Sequence, residues 1–227
     1  MRTFFIKIVL ITIATLAVDA VNCQDAKVII FDSTFYANKL DSLNSIYGQN
    51  KSIPDDLKLC CLIALSHYPE LSNSKIVFKT AHIKTTLNTR PTLFSVLLKT
   101  KSNRKYVIRI NNSTAPYKVL IYQADFNSKI GLLGHEIGHV CDYSRISIFG
   151  VVKRALSYAT KKSKKKFENR IDRLTIEKGL GWQLYDWSDF VLNKSCATER
   201  YKLFKKAIYL SPEQIKDQMR MNGYDDL

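Results

Sequence analysis

Apolar and polar positions recur at two different periods along this chain, and the change of period divides it. Residues 27–31 read as a short strand. Residues 33–47 have helical composition and stop at Gly48. Pro54-Asp55-Asp56 then opens a second helix, since proline suits the first turn and acids are favoured at the positive end of a helix dipole. Its apolar positions Leu57, Leu59, Cys60, Leu62, Ile63 and Leu65 predict a well-buried element that ends near Pro69. From residue 75 to about 111 the pattern turns to strands. The runs 75–79, 83–87, 92–98 and 106–110 are rich in β-branched and aromatic residues, and Arg90-Pro91 and Lys101-Ser102-Asn103 break them. They predict a small antiparallel sheet.

Residues 119–123 form one more strand candidate. Asn127-Ser128 reads as the N-cap of a long helix that runs to about Tyr143. Further helices are predicted over residues 151–159, from near Phe167 to Gly179-Leu180-Gly181, over 183–192 and 198–209, and after Ser211-Pro212. Helices, a sheet, one long helix and more helices make an α+β chain. The small antiparallel sheet packs on the long helix, and a mostly helical part follows.

Composition narrows the setting. The chain of 227 residues has room for one domain with a sizeable core. Arg2 and Lys7 precede an apolar run over residues 8–18, shorter than the roughly 20 residues a membrane span needs. Residues 1–23 are therefore read as a signal peptide, cleaved after Ala20 or Cys23, and the protein as secreted, periplasmic or cell-envelope. A lipidated Cys23 and an uncleaved anchor are the alternatives. Residues 24–227 form a single domain, with the sheet in about 24–125 and the helical part in about 126–227. The chain carries a formal charge of +15, and seven bases fall within residues 153–166, which suits contact with an anionic surface of lipid or glycan. That run reads as a solvated loop. No nucleic-acid motif is present. An exported setting permits disulfides, and Cys141 with Cys196 is the pairing to test first, while Cys60 and Cys61 read as buried thiols.

The long helix carries the chemistry. His135-Glu136-Ile137-Gly138-His139 places two imidazoles four residues apart, one helical turn, so both can reach one ion. Glu136 lies about 100° round the helix, beside the ion, where it can take a proton from water. A catalytic zinc usually takes three protein ligands. The chain has four histidines and none beyond His139, so a third histidine would have to be His67 or His82. His67 reads as a surface or half-buried side chain and His82 as a strand residue. Three carboxylates compete instead. Asp142 shares the helix face but lies roughly 10 Å along the axis from His135, which points to a supporting or capping role. Glu168 and Asp172 border the apolar face of a later helix and can turn inward together. Glu177 falls towards solvent.

H-E-x-x-H followed by E-x-x-x-D on a later helix resembles the gluzincin metallopeptidases, thermolysin-like in the broad sense. The likeness covers His135, Glu136, His139, Glu168 and Asp172, and the small size looks like a minimal zincin-like form. It implies zinc held by His135, His139 and Glu168. Asp172 would orient a ligand histidine, and Glu136 would act as the catalytic base on a peptide or protein substrate. It also implies an edge strand that pairs with the substrate, for which residues 106–110 or 119–123 could serve. Phe167 stands where the family has asparagine, and no downstream histidine is present to stabilise the transition state. Tyr143, Tyr158, Tyr185 and Tyr201 are the candidates for that place. The competing functions are a non-catalytic secreted zinc-binding protein and a module that binds anionic surfaces through residues 153–166.

Overall fold

The computed structural model describes residues 27–115 and 118–224. The signal-peptide reading, with Cys23, lies outside them. The elements run α1 (Ser33–Ala37), α2 (Leu40–Tyr47), β1 (Lys51–Ser52), α3 (Lys58–Ser66), β2 (Lys75–Ala81), β3 (Leu87–Pro91), α4 (Leu93–Leu98) and β4 (Lys105–Asn111). There follow α5 (Phe126–Arg145), α6 (Ile148–Leu156), α7 (Lys161–Thr175), α8 (Gly181–Asp189), α9 (Glu199–Ile208) and α10 (Pro212–Met221). The chain is α+β, as its patterning predicts, with a small four-stranded sheet.

The sheet is mixed, not antiparallel. Its order is β1-β2-β4-β3, with β1 and β4 both parallel to β2 and only β3 antiparallel to β4. Alternation along a strand reports which face is buried and says nothing about direction. Ile76, Phe78, Tyr106, Ile108 and Ile110 form the buried face here, in register as Ile76 with Tyr106 and Phe78 with Ile108. Because β4 is paired on both sides, residues 106–110 cannot serve as an edge. The edge beside the helices is β3.

Several local expectations fail for identifiable reasons. Residues 27–31 form no strand, because side-chain amides take their backbone groups. Asn127 Nδ2 donates to the Ile29 carbonyl at 3.0 Å, Gln183 Nε2 donates to that of Val28 at 2.8 Å, and the Phe31 N–H donates to Asn127 Oδ1 at 3.2 Å. Residues 83–86 precede β3 without joining it, and exposed His82 follows β2 outside the sheet. Residues 92–98 become α4, whose first turn closes with the Val96 N–H on the Thr92 carbonyl at 3.0 Å. Residues 119–123 hold only a 3-10 turn, Ile121–Gln123. The lysine run is the start of α7, capped by Thr160, and not a loop, although its side chains stay largely in solvent. The α5 cap is Asp125, which accepts the Ser128 N–H at 2.7 Å, two residues ahead of the expected position.

Helix α5 runs through the core, with α3, α7, α8 and β3 against it. Its glycines set those distances. A Cβ on Gly131 would stand 2.0 Å from the Gln183 carbonyl oxygen and 2.6 Å from the Leu184 nitrogen, both backbone atoms of α8. A backbone contact cannot rotate away, so the helices would have to separate. Gly131→Ala is expected to destabilise the protein by about 2–4 kcal/mol, as overpacked cores do, read as a fall in the denaturant midpoint. Tyr68, buried after α3, donates its hydroxyl to the Gly134 carbonyl at 2.8 Å and ties α3 to the same helix.

Candidate metal centre

Helices α5 and α7 bring three donors together. The ring nitrogens Nε2 of His135 and His139 lie 3.2 Å apart, and each is 3.3 Å from Glu168 Oε2. All three residues are buried. A tetrahedral centre with bonds of about 2.0–2.1 Å has edges of about 3.3–3.4 Å, so this triangle is the size one face of such a centre requires. Two imidazoles and one carboxylate form a donor set for a first-row transition ion, not for calcium or magnesium, which take oxygen ligands. Two nitrogen lone pairs and a carboxylate oxygen converging on one buried point need a cation between them. The two ring nitrogens at 3.3 Å are the polar groups facing Glu168 Oε2, which makes no hydrogen bond of good geometry, a costly arrangement for a buried acceptor unless charge is placed among them. The cluster can hold a metal ion.

Without one, protons take that part. Burial opposes the charged form of His135, but hydrogen bonds to Asp172 and Glu168, with their charges, carry its pKa up to about 10. Burial likewise works to raise Glu168, yet the charge of His139 and hydrogen bonds from both histidines hold its carboxyl well below the usual range. The site is therefore built to keep positive charge in a dry place.

Asp172, one turn beyond Glu168, faces the interior with it. Its Oδ1 lies 2.8 Å from His135 Nδ1, and its Oδ2 accepts the Leu210 N–H at 3.0 Å. A carboxylate in that position fixes the ring's tautomer, with the proton on Nδ1 and the Nε2 lone pair turned to the cluster. Asp172→Asn keeps the shape and weakens the acceptor. It is expected to lower metal affinity by about 10–100-fold, measured by competition with a chromogenic chelator. His139 has no such partner, and its Nδ1 is buried without a hydrogen bond. Phe167, where the resemblance would put asparagine, packs its ring on His139 at 5.2 Å between centroids.

The other carboxylates go elsewhere. Asp142 neither ligates nor caps. It is buried between two arginines, with Arg154 Nε on Oδ2 at 2.7 Å and Arg170 on Oδ1, and so joins α5 to α6 and α7. Glu177 is exposed, as its wheel position predicts. His67 is fully buried, not half-exposed. Its Nδ1 lies 2.7 Å from the Lys178 carbonyl, and burial lowers its pKa, which leaves a neutral ring beneath the turn at Gly179 (φ +86°). Cys141 forms no disulfide with Cys196. Its buried thiol donates to Glu70 Oε1 at 3.2 Å, and burial pushes its pKa up to about 12. Cys60 and Cys61 are buried thiols, as expected.

Glu136 is buried beside the cluster and accepts the Thr89 hydroxyl of β3 at 2.6 Å. Next to it lies a pocket enclosing about 620 Å³, counting its open mouth. The walls include His135, Glu136, Leu132, Leu184, Trp187 and Leu192. Of the four tyrosines singled out, Tyr143 is buried, and that burial with the charges of Asp142, Glu168 and Glu136 raises its pKa, while the Tyr158 side chain is 44% exposed and its hydroxyl is shifted the same way by partial desolvation and the charge of Glu168. Tyr185 packs against Trp182 and Tyr201 lines a separate cleft with Lys84 and Lys118. Tyr209, which the patterning treats only as a helix end, has its ring 5.8 Å from His135, and burial with the charges of Glu168 and Glu136 keeps its phenol protonated. Nothing in its local sequence distinguishes it.

No protein-family profile, curated protein or solved structure matches this chain.

Proposed function

We propose that the protein is an exported, zinc-dependent peptidase of minimal gluzincin form. The convergence of His135, His139 and Glu168 on a triangle of 3.2–3.3 Å carries this reading. In such a site a zinc ion supplies Lewis acidity, towards a carbonyl and towards water.

The remaining work falls to side chains of this chain. Glu136 takes the proton of the attacking water and passes it to the departing amine. Thr89 donates to one Glu136 oxygen, which holds the base in place and leaves the other oxygen for water. An extended peptide adds to the free edge of β3 by backbone pairing, which would bring its scissile bond past Glu136. The apolar pocket beside His135 takes one substrate side chain and keeps water from it. Tyr158 and Tyr209, both held as neutral phenols, are the donors available to a developing oxyanion in place of the family's histidine. Metal content of the wild type and of Glu168→Ala, measured with cleavage of a mixed peptide library, tests the reading. Metal without turnover in the wild type would leave a binding protein in place of an enzyme.

A further inference from the structure

Two short helices carry large apolar side chains that the fold leaves uncovered. On α4, Leu93, Phe94, Leu97 and Leu98 face outward, and only Ser95 and Val96 are buried. On α6, Phe149, Val152 and Leu156 share one face, at spacings of three and seven residues. Leu93 and Phe149 are each 82% exposed and the other five more than half exposed. The two helices touch. Arg104, in the loop after α4, fastens that loop to the entry of α6, with Nη1 donating to the carbonyls of Tyr143 at 3.2 Å and Ile146 at 2.7 Å. Single exposed apolar residues are ordinary, whereas seven on adjoining helices mark a contact surface.

Charge names the occupant. No acidic residue occurs between Glu70 and Asp125, the stretch that contains α4, or between Asp142 and Glu168, the stretch that contains α6 and the start of α7. Lys99, Lys101 and Lys153 lie in these stretches, and Lys161, Lys162, Lys164, Lys165 and Lys166 fill the first turns of α7. Cations at the positive end of a helix weaken it, so the lysines do not serve the helix that holds them. A second copy of this chain would set the same basic face against itself. Among the described residues no helix is long and apolar enough to cross a membrane. Short amphipathic helices with basic flanks are instead suited to lie in the headgroup layer.

We infer that α4, α6 and the lysine-rich start of α7 form a docking face for a bilayer surface rich in anionic phospholipid. The apolar side chains enter the headgroup region, and the lysines meet lipid phosphates. This goes beyond the peptidase reading and does not depend on it.

Vesicles of phosphatidylcholine with and without phosphatidylglycerol test the face on the purified protein. Wild type is expected to sediment with the anionic vesicles and to be released by salt. The double variant Phe94→Asp, Phe149→Asp should bind at least about tenfold more weakly, at unchanged circular dichroism and metal content. Phe149→Trp, a milder change, should show blue-shifted emission with anionic vesicles and quenching by brominated acyl chains. Unmoved emission from Phe149→Trp, or equal binding by wild type and double variant, would overturn the inference. So would a wild-type dimer that the double variant dissolves while neither protein binds vesicles.

Discussion

Replacing Glu136 with glutamine is expected to lower peptide hydrolysis by about 100- to 10,000-fold, the range over which a positioned general base acts. Metal content should stay at the wild-type level. The two outcomes separate because Glu136 is not one of the three converging donors; it stands next to them, held by Thr89 Oγ1 at 2.6 Å. Glutamine keeps the size and the contact with Thr89 and removes the basic oxygen. Thermal stability should therefore change little. Hydrolysis that survives in Glu136→Gln, with contaminating protease excluded by a metal-free control, would remove Glu136 from the chemistry.

The second large effect belongs to Glu168. Glu168→Ala deletes one corner of the triangle and leaves two imidazole nitrogens 3.2 Å apart with no third donor converging on them. Two histidines on one turn bind a divalent ion far more weakly than three ligands do, so the purified variant should carry little metal and hydrolyse nothing. A ligand present at 1,000 times its dissociation constant stabilises a fold by about 4 kcal/mol. For a protein of this size that corresponds to roughly 8–16 °C in Tm. Chelation of the wild type should lower Tm by a shift in that range, and chelation of Glu168→Ala should lower it hardly at all. Equal metal content in the two proteins, or a wild-type Tm indifferent to chelator, would sink the metal centre.

Helical parts of the fold are legible in the chain because their signals are local. The i, i+4 histidines, the wheel positions of Glu168 and Asp172 and the Ser211-Pro212 start of α10 all depend on residues within two turns. Sheet direction is not local. β2 and β4 are parallel and are joined through β3 and α4, and no run of residues announces that path. Helix α4 misleads for another reason. Its leucines and phenylalanine carry the composition of a buried strand, yet all of them are exposed. Residues 27–31 mislead because their hydrogen-bond partners, Asn127 and Gln183, lie about a hundred residues or more away. In the metal centre, the two histidines follow from spacing, whereas the helix wheel leaves Glu168 and Asp172 only as inward-facing candidates and it is the resemblance that implies their roles. The Thr89 clamp on Glu136 and the approach of Tyr209 are tertiary and leave no trace in spacing.

The order of the sheet also bears on synthesis. Strands β2 and β3 never touch each other, and each finds its main partner only in residues 105–111. A nascent chain that ends before β4 thus holds β2 paired only with the two residues of β1, and β3 with no strand partner. During synthesis the vulnerable interval begins when residues 75–81 emerge and ends when β4 slots between its neighbours. A holding chaperone would be of most use within that window of about thirty residues.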